Sequence, residues 1–264
     1  MHILVTNDDG VQSQGILALS QALAALGQVT VFAPNHNWSA AGHNKTMHKP
    51  LRVDYVHLAD GTSALTTNGS PSDCVAMAVL GLVEQPVDLV VSGINTGANL
   101  GQDIIYSGTV AGAMEATIAG LPAIAVSLTC YEPEADFQPA AAVARAVVAL
   151  ALEPSLPPGT LLNVNVPKLP LEDIRGVRLT HLGRRVYRDV LLRRLDPFGR
   201  PYYWIGGDPP GGDPEPDTDI WAIENGSVSV TPLHMDMTAY GVLRSHGDWA
   251  TRLAEGLGRH EIFA

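Results

Sequence analysis

Between Val87 and Glu115 the sequence reads V-D-L-V-V-S-G-I-N-T-G-A-N-L-G-Q-D-I-I-Y-S-G-T-V-A-G-A-M-E, and no other stretch restricts the fold as tightly. Val87 to Val91 is a short apolar, largely β-branched run, which reads as a buried strand. Ser92 to Gly101 then reads as a loop with three glycines and two asparagines, and Ser107, Gly108 and Thr109 open a run of small helix formers. A buried strand that feeds a glycine-rich loop and then a helix belongs to an open α/β sheet. In such sheets ligands gather at the carboxyl ends of strands, and a helix N-terminus favours an anion. The spacing matches neither G-x-G-x-x-G nor G-x-x-x-x-G-K-[ST], so the site is neither an ordinary dinucleotide site nor a Walker-type one.

The amino-terminal segment repeats the theme. His2 to Thr6 reads as a strand, broken at its carboxyl end by Asn7-Asp8-Asp9-Gly10. Ile16, Leu19, Leu23 and Leu26 form a helical stripe closed by Gly27, and Val29 to Ala33 reads as the second strand. This is a βαβ unit, which implies a parallel sheet and a right-handed crossover. A polar loop from Pro34 to Pro50 follows at the same sheet end as Asp8. Leu51 to Leu58 alternates like a strand. Ser70 and Pro71 read as the cap and first residue of a helix running to about Glu84. A helix from Thr109 to Ala119, a strand from Ala123 to Leu128, a helix from Gln138 to Leu152 and a strand from Thr160 to Val166 complete the pattern. The expected fold is α/β: a Rossmann-like, doubly wound, mainly parallel sheet over residues 1–175, complete by Val166. Residues 176–264 are expected to form a C-terminal oligomerisation arm and terminal helix packed on that domain. Val177 to Gly206 holds seven arginines around the turn Asp196-Pro197-Phe198-Gly199 and reads as a long β-hairpin. Gly206 to Asp219 reads as a loop, Val228 to Pro232 as a strand and Asp248 to Leu257 as a helix.

Composition narrows the partners. Of 264 residues 46% are hydrophobic, enough for a sizeable core, and the net charge of -11 argues against a nucleic-acid duplex as partner. No segment reads as a signal peptide or a membrane span. Cys74 and Cys130 are too few for a disulfide framework. The expectation is a soluble, cytoplasmic protein with no membrane partner.

The candidate chemistry centres on Asp8 and Asp9. A D-D-G turn alone is ordinary turn chemistry. At the mouth of a buried strand, however, two adjacent carboxylates are costly unless a cation neutralises them. Mg²⁺ and Mn²⁺ take hard oxygen ligands, and Ser39 and Asn95, which follow predicted strands at the same end, would supply neutral ones. Ser107-Gly108-Thr109 reads either as a plain helix cap or as an anion seat, in which Gly108 leaves room for a phosphate. His36, His43 and His48 share one loop without zinc-type spacing, and G-x-S-x-G is absent.

These residues resemble a known family. I-L-V-T-N-D-D-G at 3–10, V-V-S-G-I-N-T-G-A-N-L-G at 90–101, I-Y-S-G-T-V-A-G-A-M-E at 105–115 and V-S-V-T-P-L at 228–233 are similar to the SurE family of 5'/3'-nucleotidases. The likeness extends through G-S-P-S-D-C-V at 69–75, N-V-N-V-P at 163–167 and the D-P-F-G-R-P-Y-Y-W arm. The resemblance implies a phosphatase that depends on one divalent cation per subunit, Mg²⁺ or Mn²⁺, and acts on nucleoside 5'- and 3'-monophosphates. It implies Asp8, Asp9, Ser39 and Asn95 as metal ligands, and a dimer or tetramer made by exchange of C-terminal segments. The serine loop departs from the family's commoner arginine-bearing form in reading N-W-S-A-A-G-H, and Ala116-Thr117 follows Glu115 where a glycine is usual.

The expected mechanism is attack on phosphorus by a water that the metal acidifies, with Asp8 or Asp9 orienting it and Asn95 assisting. Asn99, Ser107, Gly108 and Thr109 would hold the phosphate oxygens. A phospho-aspartate route usually needs D-x-D and a lysine, whereas the pair here is adjacent and lysines are scarce. A non-catalytic nucleotide sensor on the same sheet is the alternative from another class; it would bind nucleotide and release no phosphate.

Overall fold

The structure, a computed structural model, describes residues 1–132, 135–151, 157–213 and 215–257. Strand β1 (His2–Thr6) is buried at every position, as its unbroken apolar run requires of a strand covered on both faces. Helix α1 (Gln14–Leu23) starts where Ser13 accepts a hydrogen bond from the Ile16 N–H, and it buries Ile16, Leu19 and Leu23. Strand β2 (Gln28–Pro34) returns parallel to β1. Strands β3 (Val53–His57) and β4 (Ser63–Thr67) then pair antiparallel, and β4 lies parallel to β2. Helix α2 (Pro71–Met77) leads back across the sheet to β5 (Leu89–Thr96), which pairs with β1 on its other side. Helix α3 (Gly108–Ile118), β6 (Ala123–Thr129), α4 (Gln138–Ala151) and β7 (Thr160–Pro167) extend the parallel sheet outward.

Among the described residues the sheet has nine strands in the order β3-β4-β2-β1-β5-β6-β7, then β11 (Val228–His234) and β8 (Val177–Leu179). The chain reverses its direction of build between β1 and β5, so a crevice opens at their carboxyl ends. One apolar cluster, with Ile16, Leu19, Leu23 and Phe137, fills one face of the sheet; a second, with Phe32, Val75, Val110 and Ala113, fills the other.

Four expectations change. The sheet is not complete by Val166: β8 (Val177–Leu179) and β11 (Val228–His234) join it, β11 antiparallel to β7 and parallel to β8. Strand β4 lies in a segment that reads as a connection, because S-A-L-T-T carries little apolar signal. Asn95 sits within β5 rather than in a loop: a bulge between Ser92 and Asn95 carries the strand through Gly93 to Thr96. The hairpin is shorter at its start and longer at its end than expected. Strand β9 (Arg185–Leu195) pairs with β10 (Pro201–Gly212), so part of the expected Pro/Gly/Asp loop is strand.

Among the described residues the two hairpin strands pair only with each other, but their root is fastened to the α/β layer. Arg185 Nε and the Tyr187 hydroxyl donate to the two oxygens of Asp103, at 2.6 and 2.7 Å, and the Arg185 N–H donates to Gln102 Oε1 at 2.7 Å. Helix α5 (Asp219–Glu224) precedes β11; α6 (Tyr240–Ser245) and α7 (Trp249–Gly256) follow it. Among the described residues no helix is long and apolar enough to cross a membrane.

The start of α2 is a reciprocal cap. Ser70 Oγ accepts from the Asp73 N–H at 3.2 Å, and Asp73 Oδ2 accepts from the Ser70 N–H at 2.8 Å. Both residues are buried, and Asp73 also holds the Thr46 N–H and hydroxyl at 3.0 and 2.7 Å. Ser70→Ala removes the cap and the Ser70 bond to the Asn44 carbonyl. It is expected to lower stability by about 1–2 kcal/mol, read from the urea midpoint at unchanged m-value. A loss within about 0.5 kcal/mol, the size of an ordinary surface change, would count against the cap.

Candidate active site

Asp8 and Asp9 stand where β1 ends, and Asn7 shapes that end. The Asn7 side chain donates to the Gly10 carbonyl and Ser13 Oγ, and accepts from the Gly10 N–H. Asp8 is 3% exposed, and the Thr109 hydroxyl donates to its Oδ1. Asp9 turns toward β5, where the Thr96 N–H donates to its Oδ2 at 3.0 Å; its Oδ1 has only a long contact, 3.5 Å, from Asn37 Nδ2. Among the described residues neither carboxylate is ion-paired. Burial pushes the Asp8 carboxyl up to about 6; the Thr109 hydroxyl opposes that rise, and the neighbouring Asp9 charge adds to it. Burial also raises Asp9, against the pull of the Thr96 N–H.

A cavity of about 370 Å³ opens in front of Asp8, lined also by Ser39, Asn95, Asn99 and Ser107. Five of the eight candidate residues therefore share one wall. Asp9, Gly108 and Thr109 stand outside that wall. Thr109 is fully buried with its hydroxyl on Asp8. The space in front of Gly108 is filled by Asp8 rather than left for a phosphate: a Cβ there would sit 2.6 Å from Asp8 Cβ and 2.9 Å from its Oδ2. The glycine is required by the carboxylate itself. Ser107 caps α3, accepting from the Val110 N–H at 3.1 Å, which leaves its own hydroxyl hydrogen to donate.

Asn95 donates to the Gly97 carbonyl at 2.8 Å, so its own side-chain oxygen is the end left for a cation. Asn99 is set by a buried amide cluster that sequence reading does not find. Its N–H donates to Asn165 Oδ1, its carbonyl accepts from Asn163 and Asn165, and its side-chain nitrogen donates to Ser127 Oγ at 2.8 Å. The N-V-N pattern of β7 is the one signal of this cluster, since alternation puts both asparagines on the same face.

Ser39 rides on the exposed loop after β2, and three distant groups pin that loop. The Trp38 N–H donates to the Asp8 carbonyl at 2.7 Å and the Gly42 N–H to the Tyr106 carbonyl at 2.9 Å. Buried Glu115 of α3 takes His43 Nε2 at 2.9 Å and Lys45 Nζ at 2.7 Å. His43 is thus a fastening of the loop. Asp219, fully buried, holds the Gly101 and Gly183 N–H groups at 2.8 and 2.7 Å and so ties residues beyond 176 to the site loop.

The donor set fits a hard divalent cation. Among the described residues no three His, Cys, Asp or Glu side chains converge; Asp8, Ser39 and Asn95 line the cavity and Asp9 adjoins Asp8 outside its wall, so the oxygens on offer are carboxylates and neutral groups. Burial raises both carboxyls, Asp8 the more deeply buried of the two, and among the described residues no cationic side chain offsets that. Cys74 and Cys130 are buried free thiols, outside this cavity.

A family model described as Survival protein SurE matches residues 3–189. The chain is 53% identical over 258 residues to a protein of Herpetosiphon aurantiacus named 5'-nucleotidase SurE, covering 97% of this chain and 98% of that one. It is 51% identical over 250 residues to one of the same name from Chloroflexus aggregans, covering 94% and 99%. The crystal structure of the SurE protein from Aquifex aeolicus superposes with a TM-score of 0.79 at 42% identity, over 93% of this chain and 98% of that one.

The raised Asp8 carboxyl has a consequence for stability. Its folded value, about 6, lies above the ordinary 3.8, so folding favours the protonated form. Metal-free protein should therefore lose stability as pH rises through that window. Asp8→Asn removes the charge and is expected to raise the stability of chelated protein at pH 7.5 by up to about 3 kcal/mol, with the gain vanishing near pH 4. Urea unfolding of both proteins in chelator checks this; a variant no more stable than wild type at pH 7.5 would refute the desolvation account.

Proposed function

This chain belongs to the SurE family, and from that premise we infer that it is a 5'-nucleotidase. We further propose that it is a divalent-metal-dependent phosphomonoesterase that cleaves nucleoside 5'- and 3'-monophosphates to nucleoside and phosphate. Asp8, Asp9, Ser39 and Asn95 would hold one Mg²⁺ or Mn²⁺ per subunit. The observation that carries this reading is the adjacent Asp8–Asp9 pair, without an ion-pair partner among the described residues, in which buried Asp8 lines the same cavity as Ser107, the cap of α3. A cytoplasmic setting is supported by the two free thiols.

Bound at that position, a divalent cation would supply Lewis-acid polarisation of the phosphoryl group and lower the pKa of a water. The protein's own groups would do the rest. The Asn99 amide, rigidly set by Ser127, Asn163 and Asn165, and the Ser107 hydroxyl present donors to the phosphoryl oxygens. The start of α3, whose helix dipole favours negative charge, would favour the charge that builds up at phosphorus. Asp8, with Thr109 on one oxygen, keeps the other oxygen for orienting a water and taking its proton. Asp9, braced by Thr96 and next to Asp8, adds the second negative charge of the cation seat.

Phosphate release from AMP with Mn²⁺, with and without EDTA, tests the reading and separates it from a nucleotide sensor. Turnover is expected with metal, none with chelator, and a loss of at least about a thousandfold in Asp8→Asn, as for removal of a strong electrostatic contributor. Full turnover in chelator would refute metal dependence, and nucleotide binding without phosphate release would favour the sensor.

The arm supports a second part of the proposal, a homodimer that can pair into a tetramer. Leu191, Tyr203, Trp204 and Ile205 are 65%, 53%, 64% and 80% exposed on a two-stranded sheet that, among the described residues, pairs with no other strand. A lone hairpin is marginal in water, and a patch of that kind marks an interaction surface. Replacing residues 191–203 by a short glycine bridge is expected to give monomer or aggregate in sedimentation. A full-length protein that sediments as a compact monomer at micromolar concentration would rule the dimer out.

A further inference from the structure

The rim of the active-site cavity carries two tyrosines that the core does not need. Tyr131 follows β6, and Tyr106 immediately precedes Ser107. Both line the cavity together with Asp8, Asn95 and Ser107, yet they are 74% and 60% exposed. Among the described residues neither hydroxyl makes a hydrogen bond that would account for the ring's position. Nor does Tyr131 hang loose. One edge of its ring rests on Gly97: a Cβ at that position would lie 2.6 Å from Cε1 and 3.2 Å from Cδ1 of the ring. Gly97 also has φ +115, a conformation other residues rarely adopt. The glycine thus makes a seat for the ring at the cavity mouth.

A ring seated on one edge and open elsewhere gives up side-chain freedom without the burial that normally offsets it. Such an arrangement suits a flat ligand that completes the contact. A nucleoside monophosphate is polar at one end and flat and aromatic at the other. With its phosphate among Asn95, Asn99 and Ser107 on the polar floor, its base is left at the rim. We propose that Tyr131, with Tyr106, is the nucleobase platform of this site, an inference that rests on the nucleotidase reading above. Stacking on a tyrosine ring accepts any base, because every base has a π-face. The platform therefore separates nucleotides from plain sugar phosphates without ranking the bases.

The test uses the full-length protein and compares AMP with ribose 5-phosphate, which carries the same phosphoester and no base. The readout is the ratio of the two kcat/KM values, which does not depend on the fraction of protein that is folded. Tyr131→Ala is expected to lower the wild-type preference for AMP roughly tenfold, with the loss in KM. Tyr106→Ala should move the ratio the same way, and Tyr131→Phe, which keeps the ring, should retain the preference. Calorimetric titration of adenosine into chelated protein gives an independent reading: wild type binds, and Tyr131→Ala binds at least about tenfold more weakly. A Tyr131→Ala variant with both the wild-type ratio and wild-type adenosine affinity would overturn the platform. If wild type releases phosphate from neither ester, the nucleotidase reading falls, and the adenosine titration alone decides the platform.

Discussion

Two carboxylates sit side by side at the end of β1, one of them buried, and much of the surrounding structure accommodates them. An ionised carboxylate taken from water needs donors, a counter-charge or a proton. Asp8 has the Thr109 hydroxyl from the first turn of α3, with weaker help from the backbone N–H groups of Asp8 and Thr109. It also has the closeness of that helix start, where a glycine at 108 is the residue that leaves the carboxylate its place. Asp9 has the Thr96 N–H, which the bulge in β5 brings round to it. These supports hold the pair in position and leave its charge uncancelled, as the raised carboxyls record. The switch of strand order between β1 and β5 brings these supports to one place.

Much of the fold is legible in the sequence because burial on both faces writes itself as unbroken apolar runs. β1, β5, β6 and β7 are of that kind, and the helices between them carry stripes, caps and closing glycines. The elements that escape notice lie at the edges. β4 is five residues with two threonines and a serine, and β8 is three exposed residues whose place is set by β11. The end of β5 is misread because a bulged strand and a glycine-rich loop share a composition.

The site divides in the same way. Asp8 and Asp9 are conspicuous because they follow a strand, Ser107 because it opens a helix, and Asn95 because it stands in a glycine-rich run. The groups that set them are not, since their partners are far off in sequence. Nothing local marks Glu115 as the anchor of the His43–Lys45 segment, or Asp73 as the holder of Thr46. Four acidic residues, Asp73, Asp103, Glu115 and Asp219, fasten loops in this way, each gripping backbone N–H groups or cationic side chains. A carboxylate suits that task because its two oxygens accept several donors at once.

Asp219 has one further implication. It holds Gly101, 118 residues earlier, and α5 and β11 close the sheet beside it. A chain emerging from its amino terminus can lay down β1 to β7 and still lack the group that fixes the loop between β5 and α3. Contacts of such long range form late, after the loops between them have closed. Residues beyond 176 therefore act as a clasp fitted last, and a partly made chain would carry its carboxylate pair beside a loop not yet set for work.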